Sequence, residues 1–205
     1  MSGKAGVKLV CGLGFNSGKY PANKAGGKQY REYKLWEHML SRCTDKSWHR
    51  QPSYIGTTCS ENFKSYEYFY EWCNNQMGFN TKDENGKSWQ LDKDLLFKGN
   101  KIYSEDTCCF VPQNINKLLI KCDSSRGEYP IGVHLYKLTS KFLARCNNGK
   151  GVLKHLGYFG TPQEAFQVYK DFKEATIKRI AEDYKDRLDF QVYQALTHYQ
   201  VEITD

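Results

Sequence analysis

The sequence predicts an α+β fold: a helical region with a strand–strand–helix segment, followed by a three-stranded antiparallel sheet packed on one helix. Three patterns predict it. Apolar residues recur at helical spacing from Trp36 to Cys43 and from Phe63 to Cys73. Three alternating runs lie between Ile131 and Tyr158. Thr161-Pro162 then opens a long helical pattern, with Glu164 in its first turn.

The chain has 205 residues, enough for one ordinary domain or two small ones. Its 40% hydrophobic and 26% charged content places it among globular proteins rather than disordered ones. No apolar run is long enough to span a bilayer, and the N-terminus has no apolar signal core, so the expectation is a cytoplasmic protein without a membrane partner.

Residues 1–31 are rich in Gly and Lys and read as a basic, flexible arm. Helices are expected from about Tyr33, with Trp36, Met39, Leu40 and Cys43 on one face, and from about Glu61 to Gln76, with Ser60 as N-cap. The stripe Phe63, Tyr66, Phe69, Tyr70 and Cys73 in the second reads as core rather than as a base-stacking platform. Asn85-Gly86 marks a turn. Trp89 to Phe97 reads as a strand, Lys98-Gly99-Asn100 as a turn and Lys101 to Tyr103 as the returning strand. Cys108 to Val111 is extended, and Pro112 opens a helix carrying Ile115, Leu118 and Leu119. A polar linker covers residues 123–127. The domain reading is therefore an arm at 1–31, a helical and hairpin–helix region at 32–123, a compact module at 129–190 and an extension at 191–205.

The formal net charge of +7 is unevenly spread. No carboxylate occurs before Glu32, where Lys4, Lys8, Lys19, Lys24, Lys28 and Arg31 stand, and none from Tyr129 to Gln163. Two such stretches create a positive field suited to phosphate, although solvated surface lysine is the plain alternative. In the module, alternation sends Val133, Phe142, Ala144, Cys146 and Leu156 towards the helix. The opposite face then carries His134, Tyr136, Lys141 at its margin, Leu143, Arg145, Asn147 and His155. Arg and Asn suit base edges in the major groove of double-stranded DNA; Lys141 and Lys154 suit phosphates.

Gly132-Val133, Lys141-Phe142-Leu143-Ala144, Leu156-Gly157-Tyr158-Phe159-Gly160-Thr161 and Glu164-Ala165-Phe166 with Tyr169 resemble the ethylene-response-factor (Apetala-type) DNA-binding domain, which also occurs in phage homing-type nucleases. The resemblance covers a quarter to a third of the chain. It implies DNA contacts from the exposed sheet face, here His134, Tyr136, Lys141, Arg145, Asn147 and His155. Fewer arginines stand there than in plant members, which implies modest sequence specificity.

The run Leu91-Asp92-Lys93-Asp94, Gly99-Asn100-Lys101 and Phe110 to Asn116, with Trp36, Met39, Leu40, Arg42 and Cys43 before it, resembles phage HNH-like (ββα-metal) endonucleases. That likeness implies phosphodiester hydrolysis with a divalent metal such as Mg, held by Asp92 or Asp94 and by Asn114 or Asn116. It also places the protein in the host cell cytoplasm if phage-encoded. Lys93 stands where that family has its general-base His, so Lys93 and Asp94 are the catalytic candidates. An ordinary lysine is protonated at neutral pH and cannot accept a proton without strong desolvation. A non-catalytic DNA-binding regulator is the alternative; a module that binds an acidic protein partner is another. Zinc would draw on Cys43, Cys59, Cys108 or Cys109, and Cys122, with His49; the spacings do not demand it, and free buried thiols are the expectation.

Overall fold

The computed structural model describes residues 8–119 and 127–204. It divides into two compact units, one of Met1–Asn80 and Leu91–Phe110, the other of Thr81–Gln90 and Val111–Asp205. The fold is mixed α+β, as the sequence predicts.

The first unit is built on α1 (Arg31–Arg42), α2 (Asp45–Arg50) and α3 (Tyr66–Asn75). The apolar spacing seen in sequence is its core: Trp36, Met39, Leu40, Phe63, Tyr66, Phe69 and Cys73 are fully buried, joined by Trp72. Trp36 Nε1 donates to the Phe63 carbonyl at 2.8 Å, so the indole is buried with its polar atom satisfied. Ser60 Oγ accepts from Phe63 N and caps a short 3-10 turn rather than the helix; Ser65 caps α3, accepting from Tyr68 N.

Two expectations are corrected in this unit. Residues 8–30 are not a loose arm. Gly14 is buried against Trp36 and Leu40, Phe15 bridges to Ser65, and Tyr20 stacks on Tyr70 at 3.9 Å. Lys4 lies outside the described residues. The expected hairpin from Trp89 to Tyr103 does not form either. β2 is only Gln90–Asp92 and pairs with β4 (Cys109–Val111), while β3 (Ile102–Tyr103) pairs in parallel with β1 (Thr58–Cys59). The cause is Asp92, whose Oδ1 accepts from the backbone N–H of Asp94 at 2.9 Å and Leu95 at 2.8 Å, turning the chain out of the ladder.

The second unit contains the turn at Asp83–Lys87, α4 (Gln113–Leu119), and the sheet β5 (Val133–Tyr136), β6 (Lys141–Asn147), β7 (Leu153–Phe159), in the order β5-β6-β7 and antiparallel throughout. Residues 123–126 of the expected linker lie outside the described residues. Helix α5 (Pro162–Asp183) covers one sheet face. Its start is a capping box: Glu164 N donates to Thr161 Oγ1 at 3.2 Å and Thr161 N to Glu164 Oε2 at 3.1 Å, an arrangement contributing about 1 kcal/mol. Val133, Ala144, Cys146, Ala165, Phe166 and Tyr169 form the core between sheet and helix, with Phe142 and Leu156 against it. Residues 191–205, left open by the sequence, are part of this unit. α6 (Phe190–Thr197) packs on α5 through Val192 and Leu196, and Val201 enters the sheet–helix core.

The backbone of Gly132 has φ +77°, and a Cβ there would collide with the Tyr169 ring. Gly132→Ala is expected to lose about 2–4 kcal/mol, combining left-handed strain with overpacking, read as a lower urea midpoint at unchanged slope.

Candidate nucleic-acid interface

The register of the sheet decides which side chains share its uncovered face. His134 lies opposite Leu143, which lies opposite Tyr158; Tyr136 lies opposite Lys141. Beyond a bulge, Arg145 pairs with His155 and Asn147 with Leu153. The bulge puts one extra residue, Leu156, on β7, beside Gly157 at φ +137°, a conformation that favours glycine. Leu156 and Gly157 then both belong to the covered side, and the alternation restarts with His155 on the open one.

Six of the seven module residues named from the sequence are therefore brought together: His134, Tyr136, Lys141, Arg145, Asn147 and His155. Lys154 is not. It pairs with Cys146, a member of the sheet–helix core, so it stands on the other side at the exposed sheet edge. Strict alternation from Leu156 misses Tyr158, because the bulge shifts the parity of β7. Tyr158 faces outward and its ring lies 5.1 Å from that of Tyr136. The period-2 break at Leu-Gly-Tyr is the signal that would have found it.

The face is basic and partly apolar. Leu143 at its centre is only 7% exposed; its cross-strand neighbours are His134 and Tyr158. Arg145 Nε is buried and has no hydrogen-bond partner among the described residues. A guanidinium donor held without an acceptor carries a desolvation cost that an incoming anion or base edge offsets. Burial, and then the charge of Arg145, hold the His134 imidazole below its ordinary range. At the end of the sheet beyond Asn147, a groove of about 460 Å³ is also lined by Asn114, Lys117 and Lys150. Within it Arg179 bonds Asp183 and the Asn148 carbonyl, and Asp83 Oδ1 accepts two backbone N–H groups.

The second candidate cluster, Asp92-Lys93-Asp94, lies in the first unit. Asp92 is buried and already bonded to backbone; burial, then Asp94, push its carboxyl up to about 6. Lys93 Nζ donates to the Asn100 carbonyl at 2.9 Å and sits 3.3 Å from Asp94 Oδ2. Asn100 Nδ2 donates back to the Lys93 carbonyl at 2.6 Å and to that of Ile102 at 2.7 Å, closing the loop on itself. Lys93 thus serves as a donor here, with no acceptor role. Asn114 and Asn116 stand on α4, in the second unit; Asn114 Oδ1 accepts from Ile115 N.

Among the zinc candidates, the Cys43 and Cys59 thiols hydrogen-bond one another, which raises the first and lowers the second. Cys122 lies outside the described residues. Among the described residues, no three His, Cys, Asp or Glu side chains gather as a metal-holding group. Likewise, among the described residues no helix is long and apolar enough to cross a membrane.

No protein-family model, curated protein or solved structure matches the chain. The site's chemistry rests on its own geometry.

Because His134 is held low in the folded state, its contribution to stability is present above the unfolded histidine value near pH 6.5 and is lost as pH falls through the lower folded value. Arg145→Gln is expected to move the His134 titration back towards that ordinary value, followed by NMR of the imidazole protons. An unchanged titration would show that Arg145 has no part in the shift.

Proposed function

We propose that the chain binds double-stranded DNA through the uncovered face of β5, β6 and β7. The observation that carries this reading is one exposed sheet face on which Lys141, Arg145, His134, His155 and Asn147 converge, within a stretch from Tyr129 to Gln163 that has no carboxylate. Such a face attracts phosphate by its field and offers Arg145 and Asn147 to base edges. It agrees with the ethylene-response-factor resemblance of the same residues.

The finer reading is binding without cleavage, a regulator rather than a nuclease. The HNH-like resemblance implies a divalent cation at Asp92 or Asp94 with Asn116, and the loop fits such an ion poorly. Lys93 already places an ammonium beside Asp94, and Asp92 Oδ1 already accepts from two backbone N–H groups. An acceptor spent on the turn and a carboxylate neutralised by its neighbour leave little for a metal.

Two expected outcomes follow. On mixed-sequence duplex, Arg145→Ala is expected to weaken binding by about 1–3 kcal/mol, whereas Lys141→Ala lowers the slope of log K against log salt by roughly 0.9. Wild-type binding that is independent of salt would overturn the DNA reading and favour an acidic protein partner. With magnesium, plasmid nicking by the purified protein is expected to be absent. Nicking that disappears in Asp92→Asn, which keeps an acceptor for the turn, would establish the endonuclease instead.

A further inference from the structure

The face proposed above as a DNA surface carries more apolar than guanidinium chemistry. In the major groove, guanine offers two acceptors suited to Arg, adenine an acceptor and a donor suited to Asn, and thymine a methyl group. The open face holds a single guanidinium, Arg145, near its middle. At one end Tyr136 (36% exposed) and Tyr158 (48%) lie side by side, rings 5.1 Å apart. At the other, Asn147 stands directly across from Leu153, which is 51% exposed.

Phosphates can accept from the tyrosine hydroxyls, but they give the ring faces and Leu153 nothing in return for losing solvent. The major-groove edge that rewards an apolar side chain is the thymine methyl. The Asn147–Leu153 pair sets an aliphatic group for the thymine methyl beside an amide whose Oδ1 accepts from Gly149 N at 2.8 Å, leaving Nδ2 as the donor for adenine N7. We infer that this face selects A·T-rich duplex, using Leu153, Tyr136 and Tyr158 as thymine-methyl contacts on either side of Arg145. The inference rests on the DNA-binding reading and adds to it a class of sequence.

The test uses the full chain and three duplexes of equal length: alternating A·T, the same sequence with deoxyuridine replacing thymidine, and alternating G·C. Uracil differs from thymine only by the methyl, so phosphate charge and base-pair hydrogen bonding are kept. One buried methyl is worth about fourfold in affinity. Two or three contacts predict a loss of about tenfold or more from thymine to uracil. The double variant Leu153→Ser, Tyr158→Ser changes two side chains that are about half exposed, so the fold is kept, checked by unchanged circular dichroism. It leaves Tyr136 as the one remaining methyl contact and is expected to discriminate thymine from uracil by no more than about fourfold, with the salt slope of the wild type. Equal wild-type affinity for all three duplexes overturns the inference and leaves DNA binding standing. Discrimination undiminished in the double variant also overturns it, because the methyls are then read elsewhere. No binding to any duplex at low salt removes both readings.

Discussion

One helix laid on a three-stranded sheet buries one face and leaves the other to solvent, and most of what the second unit displays follows from that constraint. The capping box at Thr161 and Glu164 fixes where α5 begins, and the approach of Tyr169 to Gly132 fixes how closely it lies. The sheet register then decides, residue by residue, what the helix cannot reach. Leu143 is an apolar side chain on that other face and is only 7% exposed. It stands two residues before Arg145 on the same side of β6, and a packed neighbour helps to hold a site side chain in place.

Total charge says less about such a surface than where the charges are already engaged. In the first unit, Lys19 is held by Glu67 at 3.0 Å and Glu71 at 2.8 Å. The Arg31 guanidinium lies over the Phe79 and Phe110 rings and donates to the Phe79 carbonyl. Both belong to the carboxylate-free N-terminal stretch, and both are engaged within the unit, Lys19 in surface ion pairs and Arg31 in packing. Lys93 is engaged in the same way by its own loop. The sheet face differs in that Arg145 keeps a buried donor, Nε, without an acceptor among the described residues.

How much was legible in the sequence depended on whether the deciding contact was local. The α5 start was readable because Thr161, Pro162 and Glu164 act within one turn. The inward set Val133, Phe142, Ala144, Cys146 and Leu156 was readable because pleating imposes a period of two. The hairpin expected from Trp89 to Tyr103 was misjudged because a side chain, Asp92, competes with the ladder for backbone N–H groups. The first thirty residues looked loose because their glycines have no visible purpose until Gly14 is seen against Trp36 and Leu40. Of the candidate site, the basic and amide groups on β5 and β6 were legible. Tyr158 was not, since a bulge changes parity without changing composition, whereas alternation from Leu156 already places Lys154 inward and Leu153 outward.

That bulge has a geometric effect beyond parity. Two residues on β7 opposite one on β6 bend the strand and add right-handed twist at Arg145 and His155. The surface is for that reason not planar. The normals at the tyrosine end and at the asparagine end diverge, so a flat rigid partner touching one end lifts away from the other. Only a partner whose own contour winds as it advances stays in contact along the full length of the sheet.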